Sequence, residues 1–374
     1  MTPQYVAVLL GGPSAEHDVS LVSGRAIANA LAARGHQVVG WLIDLTGNWW
    51  GLPLSAMDPS LPVTAYDDPG SLPGAYGPHV PVFALEQMAL DDPNPVVFIA
   101  LHGPFGEDGV VQALCESAGL TYTGAGVAAS AIGMDKAVFK RLVQGMGMPV
   151  VPWVEVAAAT WSADPSAAHQ TLLEFAHSLP DPRLIVKPTR LGSSVGISIV
   201  HAPDDPEHLG GALTEAFSYG DSVLVEAYLE HPRELEMSVV GNSADDLETF
   251  GPGEIFPGHE FYDYTAKYSD GVSRTTDEPD ITPDVRAMLH DLAARSFLAI
   301  GGAGFARVDF LAHRDEVYLN EINTIPGFTP ISLFPVLCRA GGYDFGAIAE
   351  RIVALAVARA AAQPRRALTR ADLP

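Results

Sequence analysis

The segment Tyr5–Leu10 is apolar without interruption, stops at Gly11-Gly12 and leads into a helical pattern over Val19–Ala33. A short apolar run closed by glycines predicts a strand buried on both faces. The same unit recurs. Val38–Ile43 and Val96–Leu101 are further apolar runs, and the second continues through His102–Gly109 into a helix ending near Ala118. Strand–helix alternation of this kind dictates a parallel, doubly wound α/β sheet. Ligands of such sheets bind beyond the carboxyl ends of the strands. The loops Gly11–Ser20 and His102–Gly109 occupy those ends. Between them, Gly51–Pro95 is rich in Pro, Asp and Gly and reads as an insertion of loops and short edge strands.

The pattern changes after residue 125. Asp135–Gly145, Pro165–Leu179 and Pro206–Phe217 are predicted helices. Val150–Val156, Leu184–Lys187, Val195–Val200 and Val223–Leu229 are predicted strands, with a hairpin around a Gly/Ser loop. A third block has strands at Leu235–Val240, Thr249–Ile255, Ala306–Leu311 and Val317–Asn323, and helices at Thr282–Ile300 and Phe345–Ala361. The expected units are residues 1–125 for the doubly wound sheet, 126–228 for a central α+β unit, and 229–374 for an α+β unit with a mostly antiparallel sheet. The last fifteen residues are expected to fray.

Charge limits the partners. The formal net charge is −24, which repels phosphate backbones and anionic membranes. General nucleic-acid binding and membrane docking are therefore excluded, and any phosphate site must be a local basic pocket. The longest strictly apolar run, Ile352–Ala358, falls far short of the roughly 20 residues of a spanning helix. No signal segment is expected, and a cytoplasmic location follows. Cys115 and Cys338 cannot form a disulfide framework. The chain has only four lysines, Lys136, Lys140, Lys187 and Lys267, against 17 arginines. In a chain that fills surface positions with Arg, a surviving Lys reads as a needed point charge.

Residues i and i+2 of a strand share a face. Arg307 and Asp309 thus point one way while Val308 and Phe310 point the other, and Glu321 and Asn323 likewise oppose Ile322. If the two strands pair, Asp309, Glu321 and Asn323 gather on one face, an oxygen donor set that suits Mg²⁺ together with phosphates. Lys187 leads into a loop with Gly192, Ser193, Ser194 and Gly196, whose N–H groups can form an anion nest. The stretch Phe261–Tyr268 holds four aromatics and Lys267 with no regular period, the composition of a lid over a site. At the end of the first strand, helix capping accounts for Asp18 or Ser14 but not for Glu16.

In this order, these segments resemble the D-alanine–D-alanine ligases of the ATP-grasp superfamily, over nearly the whole chain outside Gly51–Pro95. The resemblance implies three domains, with ATP held between the second and third. It implies that Lys136, Lys187 and Ser194 contact phosphates, that Glu226 lies on the adenine side and Glu234 at the ribose, and that Asp309, Glu321 and Asn323 bind two Mg²⁺, with Mn²⁺ as a substitute. Arg307 and the Gly327 N–H would form an oxyanion hole. Glu16 would hold the ammonium of the first D-alanine, with His102 near its carboxylate. Glu16, Ser193 and Tyr268 would form a triad across the site. Lys267, Ser332 and the Leu333 N–H would take the second carboxylate, under a lid of about 257–273. Leu191 stands where some relatives have Glu, and Ala227 where Lys often occurs.

The implied reaction joins two D-alanines through an acyl phosphate, releasing ADP and phosphate, for peptidoglycan precursor synthesis by a homodimer. The alternatives are the same fold with D-serine or D-lactate as second substrate, or a non-catalytic ATP-binding module. Tyr268 speaks against lactate, and the complete set Arg307, Asp309, Glu321 and Asn323 speaks against the module.

Overall fold

A computed structural model describes residues 2–256 and 274–362 of the chain. Strand β1 (Tyr5–Gly11) is buried along its whole length and lies between β2 (Gln37–Ile43) and β5 (Val96–Ile99), parallel to both. Burial on both faces is why this run alternates so little in polarity. With β3 (Trp49–Leu52), β4 (Tyr76–His79) and β6 (Thr121–Tyr122), the sheet order is β4-β3-β2-β1-β5-β6. Strand order reverses at β1, so the loops after β1 and β5 lie side by side over a crevice.

Helix α1 (His17–Ala33) covers this sheet through Leu21, Ile27, Ala28 and Leu31. The insertion contains the expected edge strands but also α2 (Pro81–Asp91), which the sequence reading missed. Proline at its first turn starts it, and Ala84, Leu85 and Met88 are buried. Its exposed Val82, Phe83 and Leu90 blur the helical period. Helix α3 (Val110–Ser117) follows the second loop.

Three short helices were also not anticipated. The first, α4 (Val127–Met134), is apolar on all sides and so carries no amphipathic signal. It runs directly into α5 (Lys136–Gly145), with Asp135 capping the Val138 N–H at 3.0 Å. Both helices contribute to the core under the third sheet, through Ala129, Phe139 and Val143.

The second sheet is antiparallel, in the order β7 (Trp153–Ala157), β10 (Ser222–Ala227), β8 (Leu184–Pro188), β9 (Ser198–Val200). Helices α6 (Ala158–Ala163), α7 (Pro165–Ser178) and α8 (Pro206–Phe217) accompany it, and Leu172, Leu209 and Leu213 close its core with Val186 and Val223. The expected hairpin is present. Its second strand starts at Ser198 rather than Val195, because Gly196 turns the chain at φ +71°. Strand β7 begins after Pro152, which has no N–H for a ladder.

The third sheet has the order β13 (Arg274–Thr276), β12 (Glu248–Phe256), β11 (Arg233–Gly241), β14 (Gly304–His313), β15 (Glu316–Asn323), and every pairing in it is antiparallel. Helix α9 (Pro283–Ala299), capped by Thr282, buries Leu289, Leu292 and Phe297 beside it. The last unanticipated helix, α10 (Leu333–Cys338), precedes α11 (Phe345–Ala362). Helix α11 returns to the first sheet: Ile348, Ile352 and Val353 share one core with β1 and α1. Cys115 and Cys338 are both free and buried. Among the described residues, no helix is long and apolar enough to cross a membrane. The lid segment 257–273 and most of the last fifteen residues lie outside the described residues.

Candidate active site

Three strands of the third sheet place a charged row on one face. Register aligns Glu236 with Asp309 and Asp309 with Glu321. In the next row it aligns Ser238 with Arg307 and Arg307 with Asn323. Val308, Phe310 and Ile322 are buried on the other face, as strand alternation requires. The pairing breaks register just after Asp309, and such bulges re-aim side chains beside sites.

Within the row, Arg307 makes a two-pronged bond to Asp309, at 2.7 Å to Oδ1 and 2.6 Å to Oδ2. Its Nε also lies 3.2 Å from Glu236 Oε1, and Asn323 Nδ2 donates to Asp309 Oδ2 at 2.9 Å. Burial opposes the charge on Arg307, but Asp309 and Glu236 hold the guanidinium well above its ordinary value. Glu236 had not been singled out from the sequence. Its spacing of two from Glu234 on a strand was the available signal.

One basic group meets this row from another element, and two more gather around Glu226. Lys136 opens α5, donates to the Leu191 carbonyl at 2.8 Å and lies 3.1 Å from Glu321 Oε2. Leu191, which departs from some relatives, thus contributes through its backbone. Lys187 on β8 lies 2.8 Å from Glu226 Oε2, and the fully buried Lys140 lies 2.8 Å from Glu226 Oε1. Burial works against ionisation of Glu226, yet the two lysines draw it below the usual carboxylate range. Burial likewise lowers Lys140, against the pull of Glu226. Lys140 is therefore a point charge of the interior, paired with Glu226. Glu234 sits on β11 opposite Ile255 and Leu311.

The Gly/Ser loop reaches the first sheet. Ser193 donates to Glu16 Oε1 at 2.6 Å. Ser193 and Ser194 adopt left-handed φ values of +52° and +58°, a conformation that costs roughly 1–2 kcal/mol for each residue bearing a side chain and clusters at functional sites. Glu16 in turn lies against Gly103. A Cβ at Gly103, which sits at φ +73°, would come within 2.6 Å of Glu16 Oε2. His102 is buried, with Nδ1 3.0 Å from the Ile325 carbonyl and Nε2 3.2 Å from Ser23 Oγ. Burial pushes its imidazole below the ordinary value. Gly327 follows Ile325 by two residues, and Ser332 Oγ accepts from the Thr329 N–H at 3.0 Å just before Leu333 starts α10.

Asp309, Glu321 and Asn323 offer hard oxygen donors on one open face. Among the described residues, no group of three or more His, Cys, Asp or Glu is placed to hold a metal ion. Two carboxylates with one amide oxygen fit a cation that takes its remaining ligands from phosphate and water, the habit of Mg²⁺. The ammonium of Lys136 beside Glu321 and the guanidinium of Arg307 complement a polyanion on this face.

The profile described as D-ala D-ala ligase N-terminus matches residues 5–125, and that of the D-ala D-ala ligase C-terminus matches 142–354. The chain belongs to the D-alanine–D-alanine ligase family. A family enzyme from Heliobacterium modesticaldum is 39% identical over 382 residues, covering 99% of each chain. One from Deinococcus radiodurans is 36% identical, covering 94% of this chain and 98% of its own. Among solved structures, the D-alanine–D-alanine ligase from Coxiella burnetii matches with a TM-score of 0.78 at 29% identity over 96% of both chains. The VanG D-Ala:D-Ser ligase from Enterococcus faecalis matches at 0.75 and 26%, over 95% of this chain and 100% of its own. The fold is that of the ATP-grasp ligases. Of the family residues expected in the site, Tyr268 and Lys267 lie outside the described residues. Glu16 bonds Ser193 and lies against Gly103 next to His102, while Arg307, Asp309 and Asn323 form a second bonded group with Glu321 paired to Asp309.

Proposed function

We propose that the protein joins two D-alanines to D-alanyl-D-alanine with conversion of ATP to ADP and phosphate, supplying peptidoglycan precursor in the cytoplasm. What carries the reading, beyond family membership, is the row of Arg307, Asp309, Glu321 and Asn323 with the Lys136 ammonium 3.1 Å from Glu321. The first D-alanine carboxylate attacks the γ-phosphate, giving an acyl phosphate and ADP. The amine of the second D-alanine then attacks the activated carbonyl, phosphate leaves, and the amine loses its proton. Lys136, Lys187 and the Ser194 loop neutralise the transferring phosphoryl group. Glu226 and Glu234 line the nucleoside end. Asp309, Glu321 and Asn323 would hold two Mg²⁺, or Mn²⁺. Bound there, the metal supplies Lewis-acid stabilisation of phosphoryl oxygens.

Glu16 holds the first ammonium. Arg307 and the Gly327 N–H donate to the oxyanion of the tetrahedral intermediate, where preaimed donors matter most. Lys267, Ser332 and the Leu333 N–H take the second carboxylate, and Tyr268 completes the triad with Glu16 and Ser193. His102 was expected at the first carboxylate, but both its nitrogens have protein partners in this structure.

The similarity to the D-Ala:D-Ser ligase supports one second reading, D-serine as the second substrate. The test is ATP-dependent phosphate release with D-alanine alone, and with added D-serine or D-lactate, followed by mass spectrometry. A D-alanyl-D-alanine mass is expected. Release only with a second acceptor would move the assignment to that acceptor.

A further inference from the structure

The loop after β15 runs from Thr324 through Ile325, Pro326, Gly327 and Phe328. Proline has no N–H, and glycine is the least restrained residue. This segment cannot fix itself by regular backbone bonds, and its polar groups go instead to the first sheet's side of the molecule. The Phe328 N–H donates to Ser23 Oγ at 3.4 Å. The Ser23 hydroxyl then has its proton free for His102 Nε2 at 3.2 Å. His102 accordingly carries its hydrogen on Nδ1 and donates it to the Ile325 carbonyl at 3.0 Å, the neutral tautomer that its burial favours. The Ile325 N–H donates to Glu107 Oε1 at 3.2 Å, and Glu107 Oε2 accepts from the Gly103 N–H at 3.0 Å. The circuit starts at Phe328 and returns to Ile325, so its two ends bracket Gly327. The Phe328 ring adds an anchor, edge-on to Phe98 and Phe305 at 6.1 Å from each.

We infer that Ser23, His102 and Glu107 form a clasp that fixes the Gly327 peptide for the ligation step, with Ser23 and Glu107 as positioning residues. The inference rests on the reading of the Gly327 N–H as an oxyanion donor. Such a donor contributes only if it is aimed before charge develops. The clasp also sets the donor relative to Glu16, because Glu16 and Gly103 touch within the same loop pair.

The full chain and its Ser23→Ala, Glu107→Ala and Glu107→Gln variants are compared by hydrogen exchange and by steady-state kinetics. Exchange at the amides of 325–328 should rise about tenfold in Ser23→Ala and Glu107→Ala, the worth of one hydrogen bond, with other segments unchanged. The kcat for dipeptide formation should fall about tenfold while KM for ATP stays put. Glu107→Gln keeps one acceptor oxygen and should recover part of both losses. Unchanged exchange at 325–328, a uniform rise across the chain, or a shift in KM for ATP without loss of kcat would each overturn the clasp. If Glu107→Ala does not fold, Ser23→Ala decides. A wild type that releases no phosphate with D-alanine sinks the ligase reading, and the exchange measurement then decides the clasp by itself.

Discussion

The Ser193 hydroxyl meets Glu16 Oε1 at 2.6 Å although 177 residues separate them in the chain. The bond joins the loop after β1 to the Gly/Ser loop after β8, and so ties the expected substrate end of the site to its phosphate end. A hydrogen bond to a charged group is worth about 1.5–3 kcal/mol. Ser193→Ala should therefore lower kcat/KM for D-alanine by about 10- to 100-fold. Phosphate release over a range of D-alanine concentrations measures this, and an unchanged kcat/KM would remove the bond from the working site.

Asp309 is held on the open face of β14 by Arg307 and Asn323, while its neighbours Val308 and Phe310 are buried on the other. Asp309→Ala should keep the fold and lose turnover by at least about 10³-fold, since metal-assisted charge stabilisation supplies several kcal/mol. In the wild type, EDTA should abolish turnover, and Mg²⁺ or Mn²⁺ should restore it. Thermal melting together with phosphate release separates the two effects, and substantial activity in Asp309→Ala would refute the metal assignment.

Lys140 and Lys187 share one buried carboxylate, Glu226. Lys140→Met leaves Glu226 with Lys187 as its remaining ammonium partner. Breaking a buried pair costs about 3–5 kcal/mol, so the melting temperature should drop clearly. Lys187 should then be held more tightly by Glu226, and KM for ATP should rise. Adding Glu226→Gln to Lys140→Met should return part of the stability. A single variant as stable as wild type would show that Lys140 does not carry this charge balance.

Burial, reinforced by the charge of Glu16, pushes Glu107 up from 4.5 to about 8. The folded protein keeps this proton at pH values where the unfolded chain has lost it. Stability from this group is thus complete below about pH 4.5 and is lost as pH rises towards about 8. The wild-type melting temperature should fall between about pH 5 and 8, and Glu107→Gln should flatten that fall. Parallel profiles for the two proteins would show that Glu107 titrates normally.

The sequence by itself determined the strands, the faces and the chemical inventory. The buried run Tyr5–Leu10, the hairpin around the Gly/Ser loop and the shared face of Asp309, Glu321 and Asn323 follow from periods of one strand or one pair, which are local rules. Apolar or exposed-apolar helices such as α2 and α4 were not legible, because their pattern lacks a polar face to set the period. Only the tertiary structure decided which side chains meet. Lys140 reads in the sequence as a needed point charge, and only the fold shows that its partner is the buried Glu226 on β10. Glu236 joined Arg307 through the register of β11 on β14. His102, Ser23 and Glu107 were brought to Ile325 and Phe328 from more than 200 residues away. Spacing along a chain fixes which groups share a face, whereas partners across sheets depend on how separate cores dock, and no local period encodes that.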